Sequence, residues 1–291
     1  MPVHEIKYRA VEGELSPGPF RILSVTKFTL LAVMNKWVAT TLMAGSGQLL
    51  VYGTIFLIMG NPLVRQALQV TQVIDLPIPV ILRNFILIQL FICIIMANIA
   101  GPRMISPELA HRALPVIYSR PIGRLGYVAG KFLALQVLVG AVSWVQVFLL
   151  FLVMWSVLPP EHLFHTTLWT QSIPLMARAM LIAVLASLVV SLFGLACSAA
   201  TKNFRYAVVI FIAVMFGASF VSRVAQEVIS SNMPDIGLFQ VFMTLTDQLV
   251  HRVRGVVDRP VTGALLSLGV WCAASLGYLL WRLRPVDVYG E

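Results

Sequence analysis

The sequence predicts an all-α polytopic membrane protein with six transmembrane helices and both termini cytoplasmic, and three observations predict it. Of its 291 residues, 59% are hydrophobic and 11% charged, with a mean hydropathy of +0.88; a soluble domain carries about 25% charged residues. Six runs without an ionisable side chain, 17 to 29 residues long, punctuate the chain, and a hydrocarbon core about 30 Å thick needs about 20 helical residues. Unbroken apolar stretches such as residues 86–95 lack the alternation of a membrane strand. A water-soluble globule, a disordered chain and a nucleic-acid-binding domain are excluded together, because the net charge of +9 lies on a chain too apolar to stay in solution.

The elements follow in order. Residues 1–36 form a cytoplasmic N-terminus and an interfacial helix: Glu5, Lys7, Arg9, Glu12 and Glu14 leave no apolar signal region, so the first span is expected to direct insertion. From Phe20 to Lys36 the pattern is helical, with Lys27 on the same face as Phe20 and Leu31. Spans are expected at about 37–60, 80–101, 125–157, 174–200, 205–225 and 260–281. The third is long enough to tilt or project. The fifth is at the lower limit and needs little tilt, or Arg205 and Arg223 snorkelling outward. In the fourth, Ser187, Ser191, Gly194 and Ser198 form a small-residue stripe that permits close helix packing. Residues 226–259 are an outer helical segment in which Phe239, Phe242, Met243, Leu245, Leu249 and Val250 recur at helical spacing; short interfacial helices and a structured cap over the bundle both fit.

Orientation comes from the cations. Lys7, Arg9, Arg21, Lys27 and Lys36 precede the first span, and Arg103, Arg112, Arg120, Arg124 and Lys131 follow the second. Lys202 and Arg205 follow the fourth, and Arg282 and Arg284 the sixth. These are 14 of the 21 cations, and the positive-inside rule puts them in the cytoplasm.

Chemistry is scarce. None of the 12 carboxylates, and no lysine, arginine or histidine, is expected within a membrane core, so no ion-coupling group of the kind used by proton-driven carriers is visible. His162 and His165 beside Glu161 lack the spacing that puts two ligands on one helical face, and no metal site is expected. The stretch from Gly126 to Phe132 resembles a phosphate loop but is one residue short and has no Ser or Thr after Lys131. No ATPase motif, catalytic group or bound cofactor is therefore expected. Cys93, Cys197 and Cys272 read as small packing residues inside spans. Gln48, Gln89, Asn98, Gln136 and Gln146 are the polar side chains that could bond helix to helix or line a substrate path.

The loop at 102–124 is different in kind. Ser106 is placed to cap a helix starting at Pro107, with Glu108 in its first turn and Pro115 ending it, exposing Glu108, His111 and Arg112. Ser119 and Pro121 mark a second start, leading into the third span.

This segment resembles the loop after the second span in permease subunits of ABC-2 type ABC transporters. The resemblance rests on Ile105, Ser106, Glu108, Leu114, Ser119, Arg120, Pro121, Ile122, Arg124, Tyr127, Gly130 and Lys131. The family's pattern commonly has Gly-Thr after the glutamate, where this chain has Arg112-Ala113. The resemblance implies a coupling helix that docks on a separate ATPase subunit, with Ser106, Glu108, His111, Arg112 and Leu114 as contacts. ATP and Mg would bind that partner and not this chain. It also implies a second permease copy, membrane lipid around the pair, residence in the bacterial inner membrane, and export rather than import. A carrier or channel acting without an ATPase, or a non-transporting anchor, are the alternatives.

Overall fold

The computed structural model describes residues 18–67, 78–114, 117, 123–157, 166–228, 235–251 and 261–283, and all regular structure among them is helical. The helices are α1 (Gly18–Val33), α2 (Lys36–Gly60), α3 (Pro62–Ala67), α4 (Ile78–Ala100), α5 (Pro102–Ala110), α6 (Arg124–Ala141), α7 (Trp144–Val157), α8 (Thr166–Ala200), α9 (Phe204–Val228), α10 (Leu238–Thr246) and α11 (Val261–Arg282). A single π-helical turn, Asp247–His251, extends α10. Six units are long and apolar enough to cross a membrane: α2, α4 with α5, α6 with α7, α8, α9 and α11.

Local chemistry sets the boundaries. The break between α1 and α2 is made by Asn35, whose side-chain oxygen accepts from the N–H groups of Trp37 and Val38 at 2.9 and 3.1 Å and so caps two of the donors a helix start leaves open. The helix expected over 20–36 is thus α1 alone. It lies against α6 and turns Phe20, Lys27, Phe28 and Leu31 outward, the shared face that the pattern indicated. The third span is two helices. The chain breaks at Val142–Ser143, where the Ser143 N–H turns back to the Gly140 carbonyl at 3.1 Å.

Helix α8 is the axis of the bundle. Its most apolar window is 67% buried, against 17% for α2 and 22% for α9 and α11, and it packs on α4, α5, α6, α7, α9 and α11. The small-residue stripe explains why. Ser187, Ser191 and Ser198 are fully buried, and Gly194 brings α8 so close to the α4–α5 junction that a Cβ on Gly101 would stand 3.2 Å from the Gly194 Cα. Close approach of this kind is how helices gain packing energy where the surrounding solvent is itself apolar.

Two readings fit 226–259, and of that segment the described residues 235–251 pack against the bundle. Gly237 lies against Ser219, where a Cβ would meet the Ser219 backbone, nine residues before the end of α9 and so about 14 Å down that helix. The Ile236 carbonyl accepts from the Trp271 indole, ten residues into α11, at 2.9 Å, and the Ile236 N–H donates to the Ser222 hydroxyl at 3.1 Å. From there α10 climbs back, burying Leu238, Val241, Phe242 and Leu245. Non-helical backbone at this depth is tolerated because protein groups satisfy it.

Candidate functional site

Helix α5 follows α4 directly, with Gly101 between them. Gly101 keeps helical torsions, and Pro102 sits at the first position of the new helix, where its missing N–H is least costly. The start expected at Ser106–Pro107 is therefore corrected: the helix begins at Pro102, Pro107 is inside it, and Ser106 is no cap but is fully buried. Ser198 of α8 takes over the local hydrogen bonding. Its hydroxyl accepts from the N–H groups of Ile105 and Ser106, each at 3.0 Å, and donates to the Pro102 carbonyl at 2.9 Å. The Ser106 hydroxyl returns a bond to the Ser198 carbonyl at 2.7 Å. A side chain inserted into a neighbouring helix's ladder is a recognised way to close a proline-weakened turn.

One turn on, Glu108 accepts from Lys131 at one carboxylate oxygen and from the Tyr127 hydroxyl at the other. The Lys131 ammonium also donates to the Met104 carbonyl at 3.0 Å and stands 5.5 Å from the Tyr127 ring centroid. The lysine side chain is 6% exposed and the glutamate 26%, so the pair faces inward and ties α5 to α6. Lys131 thus corrects the expectation that no cation enters a span, since it lies buried within α6 and is made tolerable by a carboxylate, a carbonyl and a ring. Helix α1 backs this contact: Thr26 donates to the Gly130 carbonyl at 3.1 Å, and a Cβ on Gly130 would meet Val25 at 2.8 Å.

The tip of α5 closes in a Schellman turn. The Ala113 N–H reaches the Glu108 carbonyl at 2.9 Å and the Arg112 N–H the Leu109 carbonyl at 3.4 Å, a 6→1 and 5→2 pair. Arg112 sits at the left-handed position with φ of 50°, where glycine is favoured. His111 and Arg112 are exposed and Leu114 is partly buried against the core. Arg124 donates to the Leu280 carbonyl in the last turn of α11, a cation at a helix C-terminus. Ser119, Arg120 and Pro121 lie outside the described residues, as do Pro115, His162 and His165.

The substrate-path candidates divide. Gln48 donates to the Phe85 carbonyl at 2.8 Å, Gln136 to the Ser187 hydroxyl at 2.7 Å, and Gln146 to the Ala141 carbonyl at 3.3 Å, the helix-to-helix or local role. Asn98 lies near the end of α4 with its side-chain oxygen buried and unpartnered. Gln89 alone is buried with neither polar atom partnered.

Sequence reasoning missed the ties at the other end. Arg83 of α4 pairs with Asp247, and Arg178 of α8 donates to the Leu249 carbonyl at 3.5 Å. Asp235, expected in the outer helical segment, is 3% exposed and accepts from Gln226 and Thr244 at 2.7 and 2.6 Å. Nothing in local periodicity marks partners so far apart in the chain. Ser198 was visible only as one member of the small-residue stripe.

Six helical units are long and apolar enough to cross a membrane, and the short helix α5 continues the second of them. Residues 24–284 match the family of ABC-2 family transporter proteins, and the chain belongs to that family. No curated protein matches the chain. Membership makes it a multi-pass membrane permease of an ABC transporter, a family that works with an ABC ATPase.

Proposed function

We propose that this chain is the membrane subunit of an ATP-driven exporter in the bacterial inner membrane, with both termini cytoplasmic, and that α5 is its coupling helix. ATP and Mg bind the partner ATPase, and a second permease copy completes the transporter. The observation that carries the reading is the division of labour along α5. Its buried face is fixed to α8 through Ser106 and Ser198 and to α6 through Glu108 and Lys131, whereas its tip, His111 and Arg112, is exposed. A push on the tip is thereby delivered to two spans at once, since packed elements shift as rigid bodies. Ser106 and Glu108 act as positioning residues, and His111, Arg112 and Leu114 face the ATPase.

The test is a double charge reversal, His111→Glu with Arg112→Glu, in the full transporter. Co-purification of the ATPase and ATP-driven transport are expected to fall by about tenfold or more, while the thermal midpoint of the permease stays put. Unchanged co-purification would remove the tip from the interface.

A further inference from the structure

We propose that one water molecule is bound halfway through the bundle, held by Gln89 of α4 together with Ser143 and Thr246, and that it bridges the break between α6 and α7 to the end of α10. Gln89 stands eleven residues from either end of α4, is 2% exposed, and has a hydrogen-bond partner in the protein for neither its amide nitrogen nor its amide oxygen. Buried polar groups are rarely left so, because an unmade bond costs the full desolvation of the group. The same side chain lines a small, mostly apolar cavity whose other polar lining residues are Ser143 and Thr246.

The valences of the lining decide what fits. Ser143 gives its hydroxyl proton to the Ala183 carbonyl at 2.9 Å, and Thr246 gives its own to the Phe242 carbonyl at 2.7 Å. Both hydroxyls therefore retain only lone pairs, and Gln89 adds one acceptor and an NH₂ donor. A guest must donate to two of three oxygens and accept from one nitrogen, which is the hydrogen-bonding capacity of water. The cavity volume open to a water's centre is about 10 Å³, near the roughly 10–15 Å³ that one water requires, and two to four polar partners are the usual complement. No carboxylate is among the lining residues, and sodium or calcium sites need more oxygen ligands and formal charge.

The water joins three separate pieces of chain: the middle of the second span, the point where the third span breaks, and the end of the helix that dips in from the opposite side. The site depends on no partner, so its failure would leave the permease reading untouched. The test uses the full-length protein in lipid nanodiscs. Gln89→Leu keeps the bulk and removes both polar atoms: with a bound water its thermal midpoint falls by about 2–4 °C, whereas an amide with nothing to bind is relieved by the change. Radiolytic labelling with ¹⁸O-water, read by mass spectrometry at Ile86 and Leu90, reports the water directly. Oxidation there is expected well above that of the comparably buried Leu138 in the wild type, and lost in Gln89→Leu. A midpoint that holds or rises, or labelling no greater than at Leu138, overturns the proposal. So does a sodium-specific rise in midpoint over potassium that Gln89→Leu abolishes, which would assign the site to a cation. Should Gln89→Leu not fold, Gln89→Met and the wild-type labelling decide the matter.

Discussion

The two ends of the bundle each fasten a short helix to long ones with an ion pair, yet they do so at different depths of burial. At the α5 end, Lys131 is 6% exposed and its partner Glu108 26%, with Tyr127 and the Met104 carbonyl completing the shell. At the other end Arg83 and Asp247 are 26% and 24% exposed. Removing a charge's partner is expensive when the survivor is sealed from water and cheap when water can replace it. The difference between the ends lies in the cation, sealed at Lys131 and partly hydrated at Arg83.

Breaking the buried pair has the largest expected effect. Glu108→Ala leaves the buried Lys131 ammonium with no carboxylate, only the Met104 carbonyl and the Tyr127 ring, and is expected to cost about 3 kcal/mol, seen as a large fall in thermal midpoint and loss of ATP-driven transport; Glu108→Gln, whose amide oxygen still accepts from Lys131 while its NH₂ can only donate toward the Tyr127 oxygen, costs less. A midpoint within a degree of wild type for Glu108→Ala would mean the pair is not closed. Next comes Ser198→Ala, which leaves the Ile105 and Ser106 N–H groups and the Pro102 carbonyl without that hydroxyl and is expected to cost about 2 kcal/mol, measurable as faster backbone hydrogen exchange confined to residues 102–110. The exposed pair ranks third. Asp247→Asn is worth about 0.5–1 kcal/mol, and the difference from wild type shrinks as salt rises, because exposed charges are screened within about 10 Å at 0.1 M. A salt-independent loss would show that this end is as sealed as the other. The smallest effect has the opposite sign: Arg112→Gly relieves the left-handed backbone and stabilises the α5 tip by about 0.5 kcal/mol, a rise in midpoint of a degree or two.

These two ends were unequally legible. Glu108, Tyr127 and Lys131 stand out by resemblance, but a motif states which residues recur and not whether they face a partner or one another. Ser106 illustrates the limit. A serine before a proline fits a helix start on local grounds, and only α8, some ninety residues away in the chain, turns it into a buried strut. Arg83 and Asp247 are 164 positions apart, one at the start of an expected span and the other in the outer helical segment, and only the fold places them together.

The sequence by itself determined the class and the number of spans. A hydrocarbon layer penalises charge and unsatisfied backbone so strongly that composition and run length alone select six helices. Which face each helix presents, where the third span breaks, how deeply residues 235–251 descend, and which polar groups satisfy one another were decided by the tertiary structure. Inside an apolar solvent the hydrophobic pattern carries little information about facing. Close approach at Gly101 and Gly194, and the hydrogen bonds that follow from it, settle the arrangement instead.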